Sequence, residues 1–183
     1  MAQYKIAVVV GSLCCESFNR KLANAVTKLG PAEFSFEPIE IAGLPLYNQD
    51  DDANQAASVV DMKTQISAAQ GVLFATAEYN RSIPGVLKNA IDHASRPYGQ
   101  SAWNGKPAGI LGVSVGAIGT AAAQQHLRNV LAYLNMPTLG QPEAFIQAKE
   151  GLFDDAGNIG PGSQAFLQGW MDQFGAWVKK HAV

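Results

Sequence analysis

Tyr4-Lys5-Ile6-Ala7-Val8-Val9-Val10-Gly11-Ser12-Leu13-Cys14-Cys15-Glu16-Ser17-Phe18-Asn19 is the stretch on which the fold turns. Tyr4–Val10 is a nearly continuous apolar run rather than an alternating one, which predicts a strand covered on both faces. It stops at Gly11. After a short polar loop, Phe18, Leu22, Ala25, Val26 and Leu29 recur at helical spacing until Gly30-Pro31 ends the pattern.

The alternation continues along the chain. Phe34–Ile41 reads as a second strand, and a turn-rich stretch from Gly43 to Asp52 leads to a helix over Gln55–Ala69. Gly71–Thr76 is a third strand. The helix after it keeps Ile83, Val86, Leu87, Ala90, Ile91 and Ala94 on one face, and Arg96–Gly105 reads as loop. Lys106–Val115 is a fourth strand, Thr120–Asn135 a helix, and Glu143–Ile146 a fifth strand. The last helix, Ser163–Lys180, carries a broad stripe of Phe166, Leu167, Trp170, Met171, Phe174, Trp177 and Val178. Five strands alternating with five helices predict an α/β architecture, a doubly wound parallel sheet in three layers. No repeat, linker or low-complexity segment interrupts it.

The chain has 183 residues, enough to bury a core without staples, with 48% hydrophobic and 15% charged residues. A formal net charge of −2 gives no basic field for nucleic acid or an anionic membrane. No apolar run is long enough to span a bilayer, and the first strand begins without a signal-like segment, so a cytoplasmic location is expected. Cys14 and Cys15 are adjacent, the wrong spacing for a disulfide framework or a metal site. His93, His126 and His181 lie far apart, so no metal is expected.

In such a sheet, ligands bind outside the carboxyl ends of the strands, at the point where strand order reverses. That directs attention to residues 11–18, 76–84 and 114–120. The first loop meets a helix N-terminus, where unpaired N–H groups and the helix dipole favour an anion, and Ser12, Ser17 and Asn19 add polar donors. The set suits a phosphate monoester; Ser17 or Asn19 could equally be an ordinary helix cap. G-x-x-x-x-G-K-[ST] is absent, and only one glycine of G-x-G-x-x-G is present, although Glu40 ends the second strand. The second loop, Thr76-Ala77-Glu78-Tyr79-Asn80-Arg81-Ser82-Ile83-Pro84-Gly85, could present backbone donors and acceptors to a flat heteroaromatic ring, or simply start a helix.

The third loop contains a decoy. Gly112-Val113-Ser114-Val115-Gly116 matches the G-x-S-x-G nucleophile elbow, and Asp154, Asp155 or Asp172 followed by His181 would complete a Ser…Asp…His order. Against a serine hydrolase, the helix starts only after Gly119, His181 sits at a helix end, and no H-G-G-G-type segment is present.

Taken together, Gly11-Ser12…Ser17-Phe18-Asn19-Arg20-Lys21-Leu22-Ala23, Glu78-Tyr79-Asn80-Arg81-Ser82-Ile83-Pro84-Gly85…Leu87-Lys88-Asn89-Ala90-Ile91-Asp92 and Ser114-Val115-Gly116-Ala117-Ile118-Gly119 carry a resemblance. The chain resembles the NAD(P)H-dependent FMN reductases, in the branch that includes bacterial chromate and quinone reductases. Arg96-Pro97-Tyr98-Gly99-Gln100-Ser101 and Leu44-Pro45-Leu46-Tyr47-Asn48 fit the same branch. The resemblance implies one flavodoxin-like FMN-binding domain over residues 1–183, with strand order 2-1-3-4-5. It implies FMN phosphate on Ser12, Ser17, Phe18 and Asn19, the isoalloxazine ring along Ala77, Glu78, Tyr79 and Asn80, and Ser114 and Gly116 at the ring's other edge. It also implies a homodimer or homotetramer.

Three positions depart from the family pattern. Cys14 stands within the phosphate loop where the family usually has an arginine, Ala77 replaces a usual proline, and His93 replaces a common tryptophan, read as a surface or interface change. Cys14 and Cys15 either fill a tight loop or, beside a helix N-terminus, are redox-active thiols. The expected chemistry is ping-pong transfer of two electrons from NADPH or NADH through FMN to a quinone, chromate, azo or ferric acceptor, with no catalytic side chain assigned. Arg81 and Arg96 are the cations expected to steer a cofactor phosphate or an anionic acceptor. A flavodoxin-type electron carrier is the rival within the same fold.

Overall fold

A computed structural model describes residues 4–182. Strand β1 spans Tyr4–Gly11, helix α1 Phe18–Thr27, β2 Phe34–Ile39, α2 Ala57–Ser67 and β3 Gly71–Thr76. Helix α3 covers Gly85–Ala94, β4 Ala108–Ser114, α4 Ala121–Tyr133, β5 Ala144–Gln147 and α5 Pro161–His181. All five strands are parallel, in the order β2-β1-β3-β4-β5. The expected elements are all present, with β3 as expected and every other end within two residues of its expected place.

Parallel strands need crossover helices, and those helices cover both faces of the sheet. On one face Met62, Ile66, Leu87, Ile91, Leu127 and Leu131 from α2, α3 and α4 pack against Ala7, Val9, Val72, Phe74 and Ile110. On the other, α1 and α5 bring Leu22, Val26, Leu167, Trp170, Phe174 and Val178 onto Ile6, Val8, Leu73, Leu111 and Val113. Each such side chain contributes about 1.5–3 kcal/mol on burial. Gly109 in β4 is set by this packing, because a Cβ there would lie 2.5 Å from the Phe174 ring.

Several sequence expectations need correction. Phe166 is exposed although it belongs to the apolar stripe of α5, and Phe18 is 44% exposed although Leu22, Ala25 and Val26 of the same stripe are buried. In α5 the stripe is more than a third of the helix wide and cannot all reach one sheet face, so Phe166 at its margin is left out. Phe18 lies within its stripe but is the first residue of α1, beside the exposed loop. The segment expected as plain loop, 96–105, contains Trp103, fully buried against Phe74 with its Nε1–H donating to the Ile91 carbonyl at 3.0 Å. His93 is not a surface residue. It is buried, its Nε2 lies 2.9 Å from the Pro45 carbonyl, and Tyr47 meets its ring edge-on.

Candidate functional site

After β1 the chain crosses to β2 at one side and then returns to β3 on the other, so β1 and β3 flank the reversal of strand order. Gly11 and Thr76, the last residues of these strands, are in register, which sets loops 11–18 and 76–84 side by side. Loop 114–120 is tied to both. β4 pairs with β3 only from Ala108 to Leu111, leaving Val113 without a strand partner on that side. Asn19 fills the gap: its amide donates to the Val113 carbonyl at 3.0 Å and accepts from the Val113 N–H at 2.9 Å. The carboxylate of Glu78 accepts from the Ala123 N–H at 3.1 Å, pinning the second loop to the start of α4. Ser82 Oγ lies 2.7 Å from His126 Nδ1, a second tie between the same elements.

The first loop is built around unused donors. Ser12 and Ser17 are only 4% and 5% exposed. Ser17 caps α1 by accepting from the Arg20 N–H at 3.3 Å, and Ser12 Oγ accepts from the Cys14 N–H at 3.4 Å. Among the described residues neither hydroxyl has an acceptor for its own hydrogen. The first intrahelical backbone bond runs from the Lys21 N–H to the Ser17 carbonyl, so the N–H groups of Phe18 and Asn19 are open as well. Buried donors without acceptors are costly, and an anion of several oxygens seated on this loop would satisfy them together. Glu16, the acidic group here, is held by Lys21 Nζ at 2.7 Å, a hydrogen bond and a nearby charge that bring its carboxyl below the usual range.

The second loop is a tight reversal. Tyr79 and Ser82 exchange two backbone bonds of 3.0 Å, with Asn80 (φ 53°) and Arg81 (φ 65°) both left-handed at the tip. That is the primed turn, in which Asn is ordinary and Arg is strained by about 1–2 kcal/mol. The third loop is held from within. Ser114 Oγ donates to the Gly119 and Gly116 carbonyls, and Gly119 sits at φ +61° where a Cβ would lie 2.7 Å from the Phe145 backbone. At Gly116 a Cβ would meet nothing nearer than 3.7 Å, so there is open space beside it.

Around this edge the chain exposes Leu13, Phe18, Tyr79, Val115 and Ile118, drawn from all three loops. A rim of large apolar side chains beside buried hydroxyls is the surface that a flat, phosphorylated heteroaromatic ligand would cover. The sequence expectation named Phe18 and Tyr79 but missed Leu13, Val115 and Ile118. Their only signal is that they are apolar inside turns, where no periodicity requires them.

Of the expected site residues, Ser12, Cys14, Ser17, Ala77, Glu78, Tyr79, Asn80, Ser114 and Gly116 belong to these three adjoining loops, and Phe18 and Asn19 to the first turn of α1 that follows the first of them. The side chains of Asn19, Glu78 and Ser114 are committed to protein partners, leaving backbone groups, the Ser12 and Ser17 hydroxyls and the exposed side chains of Tyr79 and Asn80 as the open polar surface. Cys14 and Cys15 are exposed free thiols, so they do not fill the loop. Within one protomer, Arg96 does not join the three-loop edge. It follows α3, a ten-residue helix leading away from the second loop, which carries it roughly 15 Å off at 1.5 Å per residue. The elbow reading fails on geometry too. His181 packs on Trp177 with ring centroids 4.0 Å apart, at the far end of α5, a helix about 30 Å long by its rise per residue.

Comparison with known proteins agrees with this fold. The model of a family described as NADPH-dependent FMN reductase matches residues 4–151. A 2-hydroxy-1,4-benzoquinone reductase of Burkholderia sp. is 53% identical over 180 residues, covering 98% of both chains. A quinone reductase of Pseudomonas putida is 48% identical over 177 residues, 96% of this chain and 95% of that protein. Among solved structures, the flavoenzyme NAD(P)H:(acceptor) oxidoreductase FerB from Paracoccus denitrificans superposes with a TM-score of 0.94 at 42% identity, covering 98% of this chain and 100% of that one. The family model, the identity to these relatives and the superposed fold agree, and this chain belongs to the NADPH-dependent FMN reductase family.

Proposed function

We propose that this chain binds FMN at the three-loop edge and uses it to pass two electrons from NADPH or NADH to quinones. The observation that carries the reading is the pair of buried, acceptor-less hydroxyls of Ser12 and Ser17 beside the open N-terminus of α1, bordered by an apolar rim. When bound, FMN supplies the redox chemistry, taking a hydride equivalent and returning two electrons to the acceptor. The chain's own work is placement. Ser12, Ser17 and the N–H groups of Phe18 and Asn19 hold the phosphate. Ala77, Glu78, Tyr79 and Asn80 bed one edge of the ring, while Ser114 and Gly116 line the other. Cys14 sits in the phosphate loop without contributing a charge.

Arg81, exposed at the strained tip of the second loop, steers the nicotinamide cofactor's phosphates or an anionic acceptor. The open rim then serves nicotinamide and acceptor in turn, which predicts ping-pong kinetics.

The assay is steady-state oxidation of NADPH and of NADH by the FMN-loaded protein with 1,4-benzoquinone, with chromate, azo dyes and ferric chelates as alternative acceptors. Parallel double-reciprocal plots with quinone are expected. Flavin binding without turnover would instead leave a flavodoxin-type carrier.

Residues 1–183 act as one domain in this reading, and the chain works as a homodimer or homotetramer. Supporting assembly, Tyr98 and Tyr133 are 84% and 81% exposed, and they flank a concavity of about 390 Å³ with Arg96, Asn104 and Asn135. Light scattering tests this directly. A cytoplasmic setting is proposed because the reaction needs reduced nicotinamide and both thiols are free. No helix among the described residues is long and apolar enough to cross a membrane.

A further inference from the structure

A phosphate monoester carries close to two negative charges near neutral pH, and the donors described so far are neutral. Two cations lie on the first turn of α1. Lys21 is paired with Glu16 at 2.7 Å, so that pair brings no net charge. Arg20 is different. Among the described residues no carboxylate lies within ion-pair distance of it, and its side chain turns back over the loop, Nη2 donating to the Ser12 carbonyl at 3.4 Å. A guanidinium carries five donors in one plane, so this single bond leaves the others available. The carbonyl it touches belongs to the residue whose buried hydroxyl lacks an acceptor.

We infer that Arg20 is the counter-cation of the FMN phosphate, and that it sets the preference of this chain for FMN over unphosphorylated riboflavin. The inference rests on the FMN reading above and deepens it. It assigns the charge that Cys14 does not supply to a residue of the adjoining helix. Being exposed, Arg20 can adjust its fork to the ligand without disturbing the core.

A plain structural role predicts something different. If the Arg20–Ser12 bond only latches the loop, losing it loosens the seat for any flavin. If Arg20 answers the phosphate charge, losing it matters only when the phosphate is present. The test is flavin fluorescence quenching by flavin-free protein, titrated with FMN and separately with riboflavin, for wild type, Arg20→Gln and Arg20→Lys. Circular dichroism confirms that the variants are folded.

Arg20→Gln is expected to weaken FMN by about tenfold or more while shifting riboflavin by less than about twofold. Arg20→Lys should recover most of the loss. FMN affinity of the wild type should also fall more steeply with added salt than that of Arg20→Gln. Equal weakening of both flavins, or no change in either, overturns the assignment while FMN binding itself stands. A wild type that binds neither flavin removes the FMN reading, and this inference with it.

Discussion

Asn19 offers the sharpest test of how the site is built, because its amide stands in for a missing strand. Past Leu111, β4 has no partner on the β3 side, and both backbone groups of buried Val113 are satisfied by the Asn19 side chain at 3.0 and 2.9 Å. Asn19→Ala removes both bonds and leaves one N–H and one carbonyl without partners in a region that excludes water. Each orphaned group costs about 1–3 kcal/mol, so with some relaxation the loss is about 3 kcal/mol. In a chain of 183 residues this corresponds to a melting temperature lower by about 6–12 °C. Thermal unfolding followed by circular dichroism, with Asn24→Ala as an exposed control on the same helix, reads it out. The control should move stability by less than about 0.5 kcal/mol. A melting point of Asn19→Ala within about 2 °C of wild type would refute the strand-substitute account.

Three further outcomes follow from the loops. Cys14→Arg should tighten FMN by about one to two orders of magnitude, since a charge-assisted hydrogen bond contributes about 1.5–3 kcal/mol; fluorescence titration would show it. Gly119→Ala forces a Cβ to within 2.7 Å of the Phe145 backbone at φ +61°, so both flavin affinity and melting temperature should drop. Ser114 should not react with a fluorophosphonate probe, because its hydroxyl is bonded inside its own loop and His181 packs on Trp177; labelling detected by mass spectrometry would reinstate the elbow.

The sheet was legible in the sequence because its signals are redundant. The continuous apolar runs of β1, β3 and β4 and the strict helical spacing from Val86 to Ala94 each report burial on a known period. The placement of ligand-binding loops followed from topology rather than from any single motif. What escaped has a common cause: side chains whose roles depend on contacts distant in sequence. Asn19 read as a cap or ligand donor, yet its partner is 94 residues away. Trp103 lies in a segment without periodicity and is buried only because Phe74 and the end of α3 surround it. Arg96 read as a steering cation because its sequence neighbourhood does not show that, within one protomer, α3 carries it toward the other end of the strands. His93 read as a surface or interface change because nothing in its sequence neighbourhood shows that the loop at Pro45 folds over it. Arg20, inside the motif itself, could not be distinguished from its neighbour Lys21 until the Glu16 pair was located.

The proposed function rests on where the flavin mononucleotide's phosphate is seated. A crystal structure of the protein soaked with FMN measures this directly. The account requires phosphate oxygens within hydrogen-bond distance of Ser12 Oγ, Ser17 Oγ and the N–H groups of Phe18 and Asn19. A flavin bound at another edge of the sheet, with the two serine hydroxyls turned to protein acceptors, would contradict it.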